Sequence, residues 1–481
     1  MEETNEKRNR ETSVKLEKGG WDAAIDLLWP RMWFIIAGCG VSANLLYFLM
    51  SEYNVESIAA IQICCFIFGC VFMVGIAGVV ADYSFFGSFR VITVLSFVSL
   101  FGMIMLMLTR LDAPSETPTK YQFGLLFVSI ALALSGFVAV YNSYGFLRRD
   151  QYDKPPTICW ELSGACLFFY VNVGAGVTLI SLAGQYKTWG FGFGSCCFAN
   201  VVGLLFFFCK KRSYRLSKPQ EYFVSTLKNS GVQVDELFSR DDQDLIKLIP
   251  LFVTDIFLHA SDIMLNSLMT LQALTMNRHI FDPDLEVPVS CFAFFSLPTI
   301  FLSLAIIDFF VVPQCKKLRI SWGIGLTHVL TILTLIASAV IESHRLNHLA
   351  NNHSLMSALW LMIPEAILGF KFGFYFRRNS RMYCREEGIA TVLMRTFSLG
   401  MGCFVSILII QIFVQFTDWL PHNINDGRLD YVYWMLAAIG CLNFAFHLIF
   451  TKNFEFPTFE YYAGDDDHND EAAHGSKLQV A

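Results

Sequence analysis

Charged residues are scarce in this chain. Asp, Glu, Lys and Arg make up 16% of its 481 residues, whereas a soluble globular domain has about 25%. This is too little charge to cover a soluble globule of this length. The net charge of -6 offers no basic surface to nucleic acid, and much of the acidic excess lies between Asp465 and Glu471. We expect a protein whose surface meets a lipid bilayer, with no nucleic-acid partner.

Metal-like cysteine spacings are also lacking. The 14 Cys residues stand mostly singly within apolar runs, or as the adjacent pairs Cys64/Cys65 and Cys196/Cys197, with no CxxC motif. Such thiols are typical packing residues, so neither a metal, a cofactor nor covalent chemistry is predicted. Residues 1–20 lack the apolar core and cleavage site of a secretory signal. The N terminus is therefore expected to stay in the cytosol.

Long apolar runs are what the chain has in abundance. A spanning helix needs roughly 20 mostly apolar residues, because unpaired backbone amides cannot be left in hydrocarbon. About twelve such runs predict an all-α membrane protein of about twelve transmembrane helices. The predicted helices are 30–50, 58–81, 91–109, 122–147, 158–183, 189–209, 245–272, 288–314, 322–342, 355–376, 391–415 and 429–451.

Basic residues cluster in alternate loops, for example at 148–149, 210–215 and 377–385. By the positive-inside rule both termini are cytosolic. Two six-helix halves on either side of a polar linker are typical of a rocker-type secondary transporter, which holds its substrate between the halves. A channel stays open as an alternative, although the sequence shows no pore-loop segment. The predicted divisions are a cytosolic segment at 1–29, halves at 30–209 and 248–451, a cytosolic linker at 210–247 and a disordered acidic tail at 452–481.

Several ordered segments carry a family resemblance. They are NLLYFLMSEYNVESIAAIQI at 44–63, VVADYSFFGSFRVI at 79–92, FFYVNVGAGV at 168–177, LIPLFVTDIFL at 248–258, LQALTMNR at 271–278 and DWLPHNINDGRLDYVYW at 418–434. Together they resemble the plant nitrate and peptide transporter family, especially the nitrate-excretion branch of its second subfamily. The resemblance implies the major facilitator fold and transport of a small anion, nitrate or chloride. Relatives in the same subfamily carry glucosinolates or flavonoid glycosides, so the resemblance does not fix the substrate.

The chain departs from the family at its proton-handling positions. Proton-coupled members have an ExxER signature in the first helix, and the matching residues here are Arg31, Phe34 and Ile35. Tyr141 stands where many members have a basic residue in the fourth helix, and Phe372 replaces the acid of the tenth. Phe and Ile cannot titrate. We therefore expect transport without the family's standard proton coupling.

New ionisable residues have appeared on the seventh and tenth helices. Asp255, His259 and Asp262 are spaced by four and three residues, so they share one helix face. A His between two carboxylates can hold a proton near neutral pH, which makes this face the candidate pH sensor; the alternative is a merely hydrated Asp255. Lys371 at membrane depth is a candidate anion ligand. The predicted substrate path comprises Asn44, Tyr141, Asn142, His259, Lys371 and Phe372.

Two further sets of residues have mechanical interpretations. Asp82 and Arg90 flank Gly87 in the turn between the second and third helices, where an acid and a base can pair and separate as the halves rock. As an alternative, these charges only mark the membrane edge. Asn172, Gly174 and Gly176 suit close packing of the fifth helix against a neighbour.

The sequence thus predicts a transporter of nitrate or a similar anion, in the plasma membrane or alternatively the vacuolar membrane. A second hypothesis is a carrier of glycosylated metabolites, because Tyr141 and Phe372 would suit a bulky aromatic solute. A third is a non-transporting relative, because several polar positions of the family are altered. No protein partner is indicated.

Overall fold

The structure is a computed structural model. It describes residues 19–109, 119–151, 159–216, 240–282, 285–311, 320–352, 354–383, 388–421 and 423–452. The predicted acidic tail, except Lys452, lies outside the described residues. The same holds for residues 1–18 and for most of the predicted linker.

Helices dominate the described chain, and a short one at Gly20–Asp26 leads into the first long helix. The long helices of the first half are α1 (Leu28–Tyr53), α2 (Ser57–Ala81), α3 (Ser88–Leu108), α4 (Lys120–Arg149), α5 (Cys159–Gln185) and α6 (Trp189–Cys209). Those of the second half are α7 (Arg240–Leu274), α8 (Ser296–Ile306), α9 (Ile320–Asn352), α10 (Met362–Tyr383), α11 (Gly388–Phe416) and α12 (Leu429–Lys452). Each corresponds to one predicted helix.

The connections contain irregular elements that periodicity did not predict. α8 is one part of a longer helical segment, because a 3-10 helix (Val289–Phe295) precedes it and a π-helix (Ile307–Val311) follows it. Before that segment, β1 (His279–Asp282) and β2 (Leu285–Glu286) form a small antiparallel hairpin. α7 also begins earlier than predicted, at Arg240.

The packing of the helices repeats after six. In the first half α1 packs on α5 and α6, α4 packs on α2 and α3, and α3 packs on α6. Each of these pairs recurs with six added to both numbers, so that α7 packs on α11 and α12, and α10 on α8 and α9. The chain is therefore built from two structurally equivalent halves, as in the inverted or repeated folds of transporters.

Among the described residues the halves are joined mainly by two helix pairs, α2 with α11 and α5 with α8, and α2 also touches α7. In the first pair a Cβ on Gly400 would lie 2.2 Å from the Met73 side chain, and Gln62 Nε2 donates to Gln411 Oε1 at 3.0 Å. In the second, Gly174 faces Leu297 of α8 and the ring of Phe294 in the 3-10 helix before it.

Small residues let the helices within a half approach closely. A Cβ on Gly176 of α5 would lie 2.3 Å from the Ile36 carbonyl oxygen of α1, and one on Gly40 would lie 2.8 Å from the Gly176 oxygen. Backbone contact of this kind is the usual way that helices associate without a hydrophobic driving force in lipid. Packing between α1 and α5 therefore depends on these glycines.

Ten helical segments of the described chain are long and apolar enough to cross a membrane. The apolar stretch Val171–Gln185 of α5 is shorter, and α7 is not among the ten. α7 contains Asp255, His259 and Asp262, which lower its hydropathy. The protein is thus an all-α, multi-pass membrane protein with the major facilitator architecture. We call the membrane side at which α1 begins the N-terminal face, and the other side the opposite face.

Candidate substrate pathway

The polar face of α7 is buried. Asp255, His259 and Asp262 are 7%, 5% and 8% exposed, although helix periodicity alone would allow any of them to face lipid or water. Gly402 of α11 lies against the Cβ of His259 and so closes one side of this face. Ionisable groups inside a membrane bundle are costly and usually functional. The three side chains therefore mark a candidate site.

Asp262 forms an ion pair with Lys371 of α10. Lys371 Nζ donates to Asp262 Oδ1, and the lysine is only 1% exposed. The ammonium also lies 5.9 Å from the centroid of the Phe372 ring. A lysine at this depth needs a counter-charge, and α7 supplies it. The sequence singled out both residues but did not predict that they pair.

His259 makes the second contact between α7 and α10. Its Nε2 lies 3.4 Å from the Tyr375 hydroxyl, and the two rings meet edge to face. Tyr375 follows Lys371 by four residues, and His259 precedes Asp262 by three, so each helix presents two polar groups on one stripe. We call His259, Asp262, Lys371 and Tyr375 the α7–α10 ladder.

A second polar group surrounds α4. The Arg31 guanidinium of α1 lies 5.6 Å from the centroid of the Tyr141 ring. The next residue, Asn142, is 6% exposed and accepts a hydrogen bond at 3.4 Å from Arg395 of α11. Asn142 thus contacts the other half of the molecule. We call Arg31, Tyr141, Asn142 and Arg395 the α4 cluster.

Asn44 has a structural position between α1 and α5. Its amide nitrogen donates to the carbonyl oxygens of Gly40 at 3.0 Å and Val177 at 3.2 Å. Its Oδ1 accepts from Ser181 at 2.8 Å. This places the side chain in helix packing, although the sequence predicted it on the substrate path. Asn172, which is also on α5, is 6% exposed.

The turn after α2 holds Asp82 and Arg90 apart in this conformation. Asp82 Oδ1 accepts from the Ser88 hydroxyl at 2.8 Å, Asp82 is buried, and Arg90 is exposed. The predicted Asp82–Arg90 pair is not formed between these two described residues. Gly87 permits the turn because its φ is 77°. Burial raises the pKa of Asp82 to about 6, although contacts to Ser143 and Ser88 oppose this shift.

Sequence reasoning missed two charged residues, Arg395 and Glu365. Glu365 lies near the start of α10, is 4% exposed, and its Oε2 has no hydrogen-bond partner among the described residues. Arg395 is the one charged residue of the predicted helix 391–415, and Glu365 shares the predicted helix 355–376 only with Lys371. A charge inside such an apolar run was the signal that could have identified both.

The opposite face is fixed by polar contacts within the second half. Arg345 pairs with Glu342 at 2.6 Å and donates to Asn425 at 2.7 Å, while Asp430 accepts from Ser343 at 3.0 Å and from Arg428. These contacts tie α9 to the start of α12. Within the described residues no group of three or more His, Cys, Asp or Glu is arranged to hold a metal.

Comparison with known proteins supports the resemblance that the motifs indicated. The profile of the POT family matches residues 228–425. Protein NRT1/PTR FAMILY 2.3 of Arabidopsis thaliana is 27% identical over 90% of this chain and 92% of that protein. Protein NRT1/PTR FAMILY 2.7 of the same plant is 29% identical over 96% of this chain and 97% of that protein.

Solved structures show the same fold. An auto-inhibited POT family peptide transporter superposes with a TM-score of 0.74 at 12% identity, over 91% of this chain and 98% of that one. The POT family transporter PepTSo gives 0.69 at 13% identity, over 90% of this chain and 98% of that one. The chain thus has the fold of solved POT family transporters and matches the POT family over residues 228–425, and its similarity to these full-length relatives is consistent with the NRT1/PTR second subfamily.

Proposed function

We propose that this chain is a transporter of the POT family that moves nitrate or a similar small anion such as chloride, and that Lys371 is its central anion ligand. The observation that carries the proposal is the buried Asp262–Lys371 pair between α7 and α10. A buried cation gives an anion site its affinity, because charge interactions are strong where water is excluded. Lys371 is therefore the residue through which a small anion would be recognised.

In the present conformation Asp262 already balances Lys371. An incoming anion must therefore compete with this carboxylate for the lysine. His259, next to Asp262 on the same face, is the group whose charge would respond to pH near neutrality. This arrangement provides pH dependence without the ExxER acids, whose places are taken by Arg31, Phe34 and Ile35.

We also propose an orientation and a location for the protein. We place the N-terminal face in the cytosol, because the basic loops lie on that side, and we place the protein in the plasma membrane. One solved POT structure is described as a complex with sulfate, which shows that the fold can accept an inorganic anion in another chain. No covalent chemistry or cofactor enters the proposal.

The experiment is flux into proteoliposomes that contain the full chain, measured for nitrate, chloride and a glucosinolate at about pH 5.5 and about pH 7.5. Nitrate or chloride flux in the wild type, its loss in Lys371→Gln and a flattened pH response in His259→Gln are the expected results. Lys210→Gln is the matched control, because Lys210 is 48% exposed in a surface pair with Asp26. Wild-type flux in Lys371→Gln would refute the assignment.

The other two hypotheses appear as distinct outcomes of this assay. Glucosinolate flux alone would favour a carrier of bulky metabolites, which is consistent with the rings of Tyr141 and Phe372 at positions where relatives carry charge. An absence of any flux from correctly folded protein would favour a non-transporting relative.

A further inference from the structure

A short basic segment follows α6 on the N-terminal face. Residues 210–213, which we call the basic turn, contain Lys210, Lys211 and Arg212, and all three are exposed. The backbone nitrogen of Ser213 donates to the Lys210 oxygen at 2.9 Å and so closes the turn. The three cations therefore stand on a hydrogen-bonded turn at the end of a spanning helix.

The short helix Gly20–Asp26 fixes the depth of the basic turn in the membrane. The backbone nitrogen of Gly19 donates to the Ser213 oxygen at 3.1 Å. At the other end of the helix, Lys210 Nζ lies 3.1 Å from Asp26 Oδ1. Both ends of the short helix are thus joined to the basic turn, so the two segments lie at the same depth.

One side of the short helix and of its continuation into α1 is apolar and exposed. Trp21, Ile25 and Trp29 recur every four residues and are 47%, 44% and 52% exposed. Ala23 and Leu27, on the other side, are buried. Exposed tryptophan is enriched at the level of the lipid headgroups, because most of the indole is apolar while its N–H group is polar. The basic turn therefore lies at the level of the lipid phosphates on the N-terminal face.

A row of aromatic rings leads from Lys211 along α3 and α6. Lys211 Nζ lies 5.0 Å from the centroid of the Phe89 ring, and this ring meets the Phe208 ring edge to face at 6.3 Å. The Phe208 ring lies 6.4 Å from the Phe97 ring, and these two side chains are 39% and 51% exposed. Phe97 follows the first residue of α3 by nine positions, which is about 14 Å along the helix. An exposed apolar surface thus begins beside the ammonium and continues into the membrane.

The basic turn keeps positive charge that its neighbours do not neutralise. Asp26 pairs with Lys210, whereas Lys211 and Arg212 have no carboxylate partner among the described residues. Asp22 is exposed on the short helix and forms no ion pair with the turn within the same part of the chain. Each Lys or Arg near a membrane surface strengthens the attraction to anionic lipid by about fivefold. Two adjacent cations at the level of the phosphates therefore complement an anionic headgroup.

We propose that the corner between α3 and α6 on the N-terminal face binds one anionic phospholipid of the adjoining leaflet. Lys211 and Arg212 contact its phosphate and headgroup, and its acyl chains lie along Phe208 and Phe97. The occupant is a lipid and not a soluble anion, because the apolar surface continues directly from the cations into the membrane. This surface shares no residue with the α7–α10 ladder, so it does not depend on the anion transport proposed above.

The experiment uses the full chain in detergent micelles and measures lipid binding by native mass spectrometry. The probes are dioleoyl phosphatidylserine and dioleoyl phosphatidylcholine, which share their acyl chains and differ in headgroup charge. The wild type should bind its first phosphatidylserine about tenfold or more tightly than its first phosphatidylcholine, since two cations contribute. Glycerophosphoserine, which has the headgroup without acyl chains, should not displace the bound lipid at the same concentration.

Three variants test the charges of the basic turn. Lys211→Gln together with Arg212→Gln should remove the preference for phosphatidylserine. The exchange of Lys211→Arg with Arg212→Lys preserves both charges and should keep the preference. Asp26→Asn removes a carboxylate and releases Lys210, so it should raise the affinity for phosphatidylserine by about fivefold.

Lys120→Gln is the matched control and should keep the wild-type preference. Lys120 is exposed beside Tyr121, which is 78% exposed, at the start of α4 on the opposite face. Equal binding of the two lipids by the wild type, an unchanged preference in the double Gln variant or an unchanged affinity in Asp26→Asn would overturn the proposal. Efficient displacement by glycerophosphoserine would also overturn it, because the ligand would then be a soluble anion.

Discussion

The Asp262–Lys371 pair makes the sharpest prediction about stability. Asp262 and Lys371 are 8% and 1% exposed, so both groups are removed from water and the energetics of a buried ion pair apply. Removing one partner leaves an uncompensated buried charge and costs about 3–5 kcal/mol, whereas replacing both by apolar groups of similar size is often near neutral. We expect Asp262→Asn and Lys371→Met each to destabilise strongly, and the double variant to recover most of the loss.

The free energy of unfolding can be followed by SDS titration in mixed micelles, in a double-mutant cycle of these variants. The sum of the losses in unfolding free energy in the two single variants should exceed the loss in the double variant by about 3 kcal/mol or more. The Lys210–Asp26 pair, at 3.1 Å with exposures of 48% and 22%, is the control cycle, and its coupling should be about 0–1 kcal/mol. Additive losses at Asp262 and Lys371, or a coupling no larger than that of the control, would refute the assignment of this pair as a buried, mutually dependent one.

Three other predictions follow from the packing. The raised pKa of Asp82 means that the folded state binds the proton of this carboxyl more tightly than the unfolded state does. The resulting contribution to the free energy of unfolding, about 3 kcal/mol, is present below about pH 4 and is lost as the pH rises through about 6. Unfolding midpoints should therefore fall over this pH range in the wild type, and they should fall less in Asp82→Asn. Gly176→Val should abolish the monodisperse peak in size-exclusion chromatography because its side chain meets the Ile36 carbonyl, while Gly124→Val, with open space around it, should not. Glu365→Gln keeps the shape of a buried side chain and should change the free energy of unfolding by about 1 kcal/mol or less, while Glu365→Ala should cost about 1–3 kcal/mol, measured by the same SDS titration.

Much of the fold could be predicted from sequence because lipid imposes one simple requirement. Every spanning segment must form its backbone hydrogen bonds internally and is therefore a helix. The length of each apolar run was thus enough to locate each of the long helices. The irregular segment around α8 was not predicted, because 3-10 and π turns leave the apolar composition unchanged. The hairpin β1–β2 was missed because its strands, four and two residues long, are too short to show alternation.

The site was harder to predict because it depends on which helices are neighbours. The four-and-three spacing correctly placed Asp255, His259 and Asp262 on one helix, but Lys371 is 109 positions away from its partner and no local pattern joins them. Asn44 shows the converse case. A polar amide in the first helix suggested the pathway, whereas its hydrogen bonds are used to hold α1 against α5.

The repeat of the fold explains why two charged clusters exist, and why they differ. α4 and α10 occupy equivalent places, and Tyr141 and Tyr375 each lie eight residues before the end of their helix. Each tyrosine meets a basic side chain from the first helix of its own half, Arg31 or His259. The second half adds Asp262 to its cluster, while the first half receives another cation, Arg395, from across the interface. Duplicated positions thus hold the same kind of contact between a tyrosine and a basic side chain, but the neighbouring group differs: it is the Asp262 carboxylate in the second half and the Arg395 guanidinium in the first.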